Sequence, residues 1–246
     1  LCMKISVVAS GSNGNSCLVE SKDTSILIDA GKSAREIEYR LNNLGKSLEN
    51  VNGIVLSHAH SDHYQGIGPI VRKYNIPVYM RKVVYEQCKE KLGKVKVKHF
   101  SEDFKINDML IRPIVTSHDT PSCGFVVGKF GLFTDTGIVT QQMKDILPKL
   151  NTVLLESNHD IDMLINGRYP AFLKQRILSN NGHLSNVCAS SFIQKYGWHL
   201  NNVLLGHLSG NNTTPEVTKK TFETIVKKKI NYSVLSRDEE SETWDM

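Results

Sequence analysis

The sequence lacks the features that mark secreted, membrane-spanning or cysteine-stabilised proteins. Its five cysteines are scattered along 246 residues and form no C-x-x-C pair, which argues against a disulfide framework and against a cysteine zinc site. No apolar run approaches the roughly 20 residues that cross a bilayer. Residues 1–9 form a short apolar strand with a lysine inside it and no cleavage pattern, unlike a secretory signal. We therefore expect a cytoplasmic protein with reduced thiols and no membrane partner.

Length and composition predict one globular domain, residues 1–246. The chain is 40% hydrophobic and 22% charged, which is ordinary for a domain of this size. It has no repeat, low-complexity tract or linker-like segment that would divide it. The net charge of +5 is compatible with a polyanionic partner but does not identify one, because many soluble enzymes are equally basic.

Apolar runs and turn signals predict short strands that alternate with helices. A helix is expected at residues 33–44, where Ser33 and Glu36 form a capping box and Gly45 follows the last turn. A buried strand is expected at residues 51–57, followed by a helix at 62–74. Strands and helices recur in the same way in the second half, which favours an α/β protein with two packed sheets and helices on the outer faces.

Four strong metal-binding side chains lie within six residues, where the predicted strand 51–57 ends. In extended backbone His58 and His60 project to the same side, because side chains alternate along a strand. Asp62 and His63, at the start of the next helix, can turn toward a second point nearby. Imidazole and carboxylate groups suit zinc, so this spacing indicates ligands for two adjacent metals. A polar loop in which histidines cluster by chance is the alternative.

Further candidate ligands follow other predicted strands. His118 comes after residues 111–116, Asp135 after 132–134 and His207 after 203–206. Each of these residues alone is more typical of a turn or a helix cap. Together with the H-x-H-x-D-H segment, they favour a metal site with two ions.

In this order, H-A-H-S-D-H, His118, Asp135 and His207 resemble the five-part signature of the metallo-β-lactamase superfamily. Asp29, which ends the run Ile26–Ile28, matches the first aspartate of that signature. The resemblance implies a four-layer αββα sandwich. The 71 residues between Asp135 and His207 are too few for the inserted β-CASP domain of some nucleases. The resemblance assigns His58, His60 and His118 to one ion and Asp62, His63 and His207 to the other, with Asp135 bridging both. Asp29 would support the metal-binding loop by hydrogen bonds.

Other residues indicate a branch of the superfamily. His60 stands where redox di-iron members have glutamate, which favours hydrolysis. The segment G-H-L-S at residues 182–185 resembles an element of the ribonuclease Z and phosphodiesterase branch, in which an extra histidine faces the scissile phosphate. His183 would then be catalytic. The alternative is a histidine at a helix N-terminus that Ser185 caps.

Three segments, residues 10–16, 155–160 and 206–216, together with the G-H-L-S-N element, resemble the YycJ/WalJ-type subfamily. These are bacterial proteins associated with 5′-to-3′ exonuclease activity on DNA. The chain departs from the pattern in one place, because two threonines precede Pro215 where one is expected. The candidate substrate-binding residues lie in the first two segments: Ser12, Asn13, Asn15, Ser16 and His159. A tight hairpin and an interior histidine are the alternatives.

These expectations define a mechanism. Two divalent ions, zinc, manganese or iron, would hold a bridging water and lower its pKa, so that a hydroxide attacks a phosphodiester, most readily of DNA rather than RNA. Asp62 and His183 are the candidate catalytic residues. Lys94, Lys96 and Lys98 alternate on a predicted strand and would follow a nucleic-acid backbone. The alternatives are a small-molecule hydrolase of thioesters, lactones or cyclic phosphodiesters, and a metal-bound regulatory module without turnover.

Overall fold

The computed structural model describes residues 3–246. Leu1 and Cys2, one of the five cysteines expected to be reduced, lie outside the described residues. The chain divides into two compact units, Leu1–Pro113 with Asp238–Met246, and Ile114–Arg237. The strand that joins them, β8, begins in the first unit and ends in the second.

The first unit contains a mixed sheet whose strand order is β14-β1-β2-β3-β4-β5-β6. Antiparallel pairing links β14, β1, β2 and β3, and parallel pairing links β3, β4, β5 and β6. The strands of this unit are β1 (Lys4–Ala9), β2 (Ser16–Glu20), β3 (Ser25–Ile28), β4 (Gly53–Val55), β5 (Val78–Met80), β6 (Val97–His99), β7 (Phe104–Ile106), β8 (Met109–Val115) and β14 (Thr243–Asp245). Its helices are α1 (Ala34–Asn43), α2 (Ser61–Tyr64), α3 (Ile67–Tyr74) and α4 (Lys82–Leu92). Strands β7 and β8 pair as an antiparallel hairpin.

Helix α1 shows why the local sequence folds as it does. The Ser33 hydroxyl accepts a hydrogen bond from the Glu36 backbone N–H and so caps the first turn. Ile37 and Leu41, one turn apart, are fully buried in the apolar core of this unit. The predicted helix at 33–44 is therefore confirmed as α1, with Ser33 and Leu44 as its capping residues.

The prediction of one helix at residues 62–74 is wrong in one respect: the structure has two helices there, α2 and α3. The Gly66 N–H donates to the Ala30 carbonyl instead of continuing the helix. A Cβ at Gly66 would lie 2.4 Å from the Lys32 carbonyl oxygen, so only glycine allows this close approach. The break leaves Asp62 and His63 on a short helix that is fixed against the loop after β3.

The second unit contains a sheet in which β13-β12-β11-β10-β9 are successive neighbours. Pairing is antiparallel between β9 and β10 and parallel from β10 to β13. Its strands are β9 (Cys123–Val127), β10 (Phe130–Phe133), β11 (Thr152–Glu156), β12 (Asn202–Gly206) and β13 (Asn231–Val234). Its helices are α5 (Gln141–Ile146), α6 (Ile161–Asn166), α7 (Ala171–Leu178), α8 (Asn186–Tyr196) and α9 (Pro215–Ile225).

The parallel strands of the second unit place several polar residues at one edge of the sheet. Strands β10, β11 and β12 are in register, with Phe133 opposite Leu155 and Leu155 opposite Leu205. The loops that follow their carboxyl ends therefore begin side by side. In open α/β sheets, ligands bind at this edge.

Two expectations from composition can be compared with the structure. The described cysteines, Cys17, Cys88, Cys123 and Cys188, form no disulfide. Within residues 3–246, no helix combines the length and the apolar character that crossing a bilayer requires. The expectation of a single domain over 1–246 stays a prediction.

Candidate metal centre

In the first unit, the loop at residues 57–63 is fixed by the buried carboxylate of Asp29. Asp29 Oδ1 accepts the Ser57 backbone N–H at 2.8 Å, and Oδ2 accepts the Ser57 hydroxyl at 2.8 Å. His63 Nδ1 lies 2.8 Å from Asp29 Oδ2. One carboxylate therefore holds both the start and the end of the loop. The role of Asp29 toward a metal, which the family resemblance implies, stays a prediction.

The hydrogen bonds of this loop define the proton positions on two histidines. The Ser57 hydroxyl hydrogen points to Asp29, so Ser57 Oγ accepts from His58 Nδ1, 3.0 Å away. His63 Nδ1 donates to Asp29, and Asn15 Nδ2, which can only donate, lies 3.1 Å from His63 Nε2. Both rings thus carry their proton on Nδ1 and a lone pair on Nε2. This is the form in which a neutral imidazole binds a metal.

The other two members of the motif are brought to the same place. His60 Nδ1 lies 3.1 Å from His58 Nε2, and the two ring centroids are 4.7 Å apart. Asp62 Oδ2 lies 3.7 Å from His63 Nε2. Imidazole nitrogens and a carboxylate thus converge within the first unit.

Backbone contacts connect the glycine-rich turn at residues 10–16 to this cluster. The Asn15 N–H donates to the Asp62 carbonyl at 2.8 Å, and the Gly31 N–H donates to the Asn15 carbonyl at 2.8 Å. A Cβ at Gly31 would lie 1.6 Å from the Asp62 carbonyl oxygen. Glycine is therefore required at position 31 for the loop after β3 to pass this close to α2.

In the second unit, four side chains offer metal-binding atoms that lie within 4.8 Å of one another: Asp135, Glu156, His183 and His207. Glu156 Oε1 lies 2.7 Å from His207 Nδ1 and 2.6 Å from His183 Nδ1. His207 Nε2 points the other way and lies 3.5 Å from Asp135 Oδ1. The candidate ligands Asp135 and His207 thus lie close together in the second unit, and their role as metal ligands stays a prediction.

His118 joins this cluster from the loop after β8. Its Nε2 lies 3.7 Å from Asp135 Oδ1, and its Nδ1 lies 3.2 Å from the Gly182 carbonyl oxygen. A carbonyl oxygen only accepts, so His118 Nδ1 is the donor and Nε2 carries the lone pair. The neighbouring residue Asp119 pairs with Arg176, whose Nε lies 2.6 Å from Asp119 Oδ2.

Three of the candidate residues have left-handed backbone conformations that non-glycine residues seldom adopt. The φ angles are 59° at Asp29, 57° at Asp135 and 57° at His207. Each residue comes directly after a strand or one residue beyond it. Such conformations carry strain, and they cluster at functional sites when the surrounding structure enforces them. Here the left-handed conformations change the direction of the chain where β3, β10 and β12 end, and so set the orientation of the three side chains.

Glu156 is a site residue that the sequence analysis did not identify. It is fully buried at the end of β11, and its Oε2 accepts the N–H groups of Thr136 at 3.0 Å and Leu184 at 3.3 Å. The available signal was a carboxylate at the end of an apolar strand, the same signal that identified Asp29 and Asp135.

Glu156 and His183 form a buried ion pair. Burial favours the neutral acid, but the charges and hydrogen bonds of His183 and His207 outweigh it and lower the pKa of Glu156 to about 2. Burial also favours neutral His183, but the Glu156 carboxylate outweighs it and raises the pKa of His183 to about 9. His183 is therefore protonated at neutral pH.

The candidate substrate-binding residues of the glycine-rich turn fall into two groups. Ser12 and Asn13 are exposed. Asn15 is buried, and its side chain bonds to both backbone groups of Gly11 as well as approaching His63. Ser16 is buried, and its hydroxyl donates to the Asp29 carbonyl. The contacts of Asn15 and Ser16 stabilise the turn and its attachment to Asp29. A role of these four residues in substrate binding stays a prediction.

His159 is buried beside β11 and forms an isolated bridge with Ser185. Burial lowers the pKa of His159 to about 4, so the ring is uncharged at neutral pH. Ser185 caps α8 through the Cys188 N–H. Ser185 therefore caps the helix, as the alternative interpretation of this segment expects, and His183 also contacts Glu156. The two interpretations do not exclude each other.

The residues present fit divalent metal ions. His58, His63, His118 and His207 each direct Nδ1 to an oxygen atom, which leaves Nε2 as the donor toward a metal. The nearby carboxylates supply oxygen donors and negative charge. Zinc, manganese and iron all accept this mixture of imidazole and carboxylate.

The fold and this donor set define a class of protein. Residues 9–141 match the family model described as the metallo-beta-lactamase superfamily. The match covers more than half of the chain and includes the H-x-H-x-D-H segment, His118 and Asp135. The chain therefore belongs to the metallo-β-lactamase superfamily.

Within that class, the chain is most informatively compared with two curated bacterial relatives. It is 36% identical over 232 residues to exodeoxyribonuclease WalJ of Streptococcus pneumoniae, covering 89% of this chain and 86% of the relative. It is 33% identical over 238 residues to exodeoxyribonuclease YycJ of Bacillus anthracis, covering 92% and 90%. These matches confirm the resemblance to the YycJ/WalJ-type subfamily.

A solved structure confirms the fold. The metallo-β-lactamase fold protein YhfI of Bacillus subtilis superposes with a TM-score of 0.77 at 18% identity, covering 100% of this chain and 99% of that one. The αββα class predicted from the sequence is therefore correct.

Proposed function

We propose that this protein is a metal-dependent phosphodiesterase that degrades DNA from the 5′ end. Its relatives at 33–36% identity are named exodeoxyribonucleases, and the alignments extend over most of both chains. The likeness supports DNA rather than RNA as the substrate. The proposal includes the cytoplasmic location that the scattered, odd number of cysteines favours.

The observation that carries the proposal is the arrangement around Glu156. A single carboxylate oxygen contacts both His207, a candidate metal ligand, and His183, a protonated histidine of the G-H-L-S element. A cation so close to a metal ligand suits a substrate that gains negative charge during the reaction. Hydrolysis of a phosphodiester is such a reaction.

We assign the ligands as the superfamily resemblance implies. His58, His60 and His118 would bind one ion, Asp62, His63 and His207 would bind a second, and Asp135 would bridge them. Two such ions, when bound, supply Lewis acidity toward a phosphate oxygen and activate a water molecule.

The chain's own residues would orient the reactants and move the proton. Asp29 and Ser57 hold the His58 and His63 rings with Nε2 directed away from the supporting loop. Glu156 keeps His183 charged, so that His183 can donate a proton to the leaving sugar oxygen. Asp62, the other candidate catalytic residue, is partly exposed beside His63, where its carboxylate can orient the attacking water.

A panel of substrates tests this function. Purified protein with Mn²⁺ or Zn²⁺ is incubated with 5′-labelled DNA, 5′-labelled RNA, bis-p-nitrophenyl phosphate and a thioester. We expect DNA to be shortened from its 5′ end, with weaker action on RNA and loss of activity when a chelator is added. Thioester hydrolysis without phosphodiester cleavage would indicate a small-molecule hydrolase instead. Absence of turnover on every substrate, with metal bound, would indicate a regulatory module.

The variant Asp135→Asn provides the matched control for the panel. Asparagine tolerates the left-handed backbone at this position, so the fold is expected to survive. Loss of the bridging carboxylate should lower turnover by roughly a hundredfold or more, since charge stabilisation by metals is worth several kcal/mol. Unchanged DNA cleavage by this variant would contradict the proposed site.

A further inference from the structure

An exposed apolar and basic segment lies between β11 and His183. It comprises α6, α7 and their connection, residues 161–178, and is called the α6–α7 arm below. The Phe172 side chain is 71% exposed and Ile165 is 52% exposed. The arm contains three basic residues, Arg168, Lys174 and Arg176, and a single acidic one, Asp162. The Phe172 ring is therefore accessible from solvent, so a ligand can reach it.

Two contacts attach the arm to the loops that carry candidate metal ligands. Asn211 Nδ2, in the loop after His207, donates to the Tyr169 hydroxyl at 3.0 Å. Arg176 Nε donates to Asp119 Oδ2 at 2.6 Å, and Asp119 directly follows His118. The arm is therefore held against the His207 loop at one point and against the His118 loop at another.

The carboxyl end of the arm leads directly to His183. The His183 N–H donates to the Ile177 carbonyl at 3.0 Å, and the Gly182 N–H donates to the Ser179 carbonyl at 2.9 Å. A Cβ at Gly182 would lie 2.1 Å from the Ile177 carbonyl oxygen, so the turn is tight. The orientation of α7 is thereby fixed relative to His183.

Helix geometry places Phe172 on the side of α7 that faces the His118 loop. Phe172 and Arg176 are four residues apart, and residues at this spacing share one helix face. Four residues span about 6 Å along the axis. Because Arg176 points to Asp119, the Phe172 ring stands in solvent about one turn farther from that contact, on the same side.

The basic residues complement a polyanion. Arg168 is exposed and has no ion pair among residues 3–246. Lys174 donates to the Ile165 carbonyl at 2.7 Å and holds the two helices together. A surface that combines an exposed aromatic ring with unpaired positive charge is typical of proteins that bind single-stranded nucleic acid, because every base has a face that stacks on the ring.

We propose that Phe172 is a stacking platform for a base of the DNA substrate, one or a few nucleotides from the phosphodiester that is cleaved. Arg168 neutralises the backbone of the same strand. The inference rests on the proposed nuclease function. It adds a position, separate from the metal ligands, at which the protein recognises the length and the single-stranded character of the substrate.

The test compares Phe172→Ala, Phe172→Leu and Phe172→Trp in the metal-loaded protein. The substrates are a single-stranded oligonucleotide, the same oligonucleotide with abasic residues near its 5′ end, and bis-p-nitrophenyl phosphate. We expect Phe172→Ala to raise KM for the normal oligonucleotide by about 5- to 150-fold, the range for loss of one stacked base. Phe172→Leu should behave like alanine, and Phe172→Trp should keep or improve KM.

Two readouts separate stacking from a merely structural role. The abasic oligonucleotide should be cleaved equally by wild type and Phe172→Ala, and hydrolysis of bis-p-nitrophenyl phosphate should be unchanged. Trp198→Ala is the matched control, because Trp198 is 63% exposed but precedes β12, at the opposite end of that strand from His207. Its KM should equal that of wild type.

The opposite results would overturn the inference. These are an unchanged KM in Phe172→Ala, full activity of Phe172→Leu, or an equal effect from Trp198→Ala. An unchanged KM would show that Phe172 does not bind the substrate, and the exposed ring would then be available to a protein partner instead. Failure of the proposed function has a different signature, since wild-type protein would then cleave bis-p-nitrophenyl phosphate or a thioester but no DNA.

Discussion

His183 Nδ1 lies 2.6 Å from Glu156 Oε1, and the Glu156 carboxylate is fully buried whereas the His183 ring is partly exposed. The same oxygen is 2.7 Å from His207 Nδ1. Glu156 therefore connects the candidate proton donor to a candidate metal ligand through one atom. A change at Glu156 should alter both functions at once, although the residue itself is not a candidate ligand in the superfamily signature.

The variant Glu156→Gln should reduce kcat by roughly 10²- to 10⁴-fold, the usual contribution of a positioned proton donor. The pH profile gives a more specific readout. The carboxylate raises the pKa of His183 to about 9, so the activity that needs protonated His183 is present below this pH and is lost as pH rises through it. Without this carboxylate, burial lowers the pKa of the ring against only the more distant charges of Asp135 and Asp119, and the alkaline limb of kcat/KM should move to lower pH.

Glu20→Gln is a suitable control for that experiment. The Glu20 carboxylate is half-buried and lies 2.7 Å from Lys46 Nζ, in the first unit. This variant should keep the wild-type pH profile. If Glu156→Gln lowered kcat but left the alkaline limb in place, His183 would not be the proton donor.

A second prediction concerns the support of the metal-binding loop by Asp29. The variant Asp29→Asn keeps the size of the side chain and tolerates the φ of 59°. Both carboxylate oxygens of Asp29 accept hydrogen bonds, from Ser57 and His63, whereas the asparagine amide nitrogen only donates, so at least one of these bonds is lost. Metal affinity should therefore fall by about 10- to 100-fold, the range for loss of an outer hydrogen-bonding partner. Competition with a chromophoric chelator measures this directly.

Asp108→Asn provides the comparison for Asp29. Asp108 also accepts side-chain hydrogen bonds, from Ser21 and Thr24, but at the surface of the first unit. Its replacement should leave metal affinity unchanged. Equal affinities in the Asp29 variant and wild type would show that the loop holds its geometry without this carboxylate.

The sequence identifies the candidate metal ligands through signals that lie close to each residue in the chain, and their binding of a metal stays a prediction. The H-x-H-x-D-H segment identifies its own members, and Asp135 and His207 stand out as polar residues after apolar runs. Glu156 carries the same kind of signal, but a glutamate at the end of a strand is ordinarily solvated. Only the arrival of His183 and His207 from later loops shows its role, and those contacts are not local.

The differences in secondary structure have a similar cause. The break between α2 and α3 depends on Gly66 meeting the Ala30 carbonyl, a partner far away in the chain. Strand β14 was not predicted, because its three residues become a strand only by pairing with β1, with Lys4 opposite Asp245. Helix α4 was missed because its apolar residues are few and lie between charged ones.

The cysteines allow a prediction that is independent of the metal site. Burial raises the pKa of Cys88 to about 11 and that of Cys17 well above its usual range, whereas Cys188 is exposed. At pH 8, iodoacetamide should modify Cys188 in the folded protein and react with Cys17 and Cys88 on the order of a hundredfold more slowly. Peptide mapping by mass spectrometry distinguishes the sites. Modification of Cys17 at the rate seen in unfolded protein would show that β2 opens readily.

The last prediction concerns Lys94, Lys96 and Lys98. All three are exposed, and they alternate with half-buried valines, so their side chains project from one side of the segment that ends in β6. Lys98 Nζ also donates a hydrogen bond to the Tyr79 hydroxyl at 3.1 Å. If the three lysines contact phosphates, each contributes about 0.7 to the slope of log affinity against log salt for single strands.

Replacing these three lysines by glutamine should therefore weaken binding of a single-stranded oligonucleotide and reduce that slope by about 2. Fluorescence anisotropy over a salt series measures both quantities, in a background of Asp135→Asn to prevent cleavage. The matched control replaces the lysines at 227–229 by glutamine. These lysines are also exposed, and their replacement removes the same amount of charge from the second unit. An equal reduction of slope in both triple variants would mean that net charge alone governs binding. In that case the alternating lysines would not define a path for the strand.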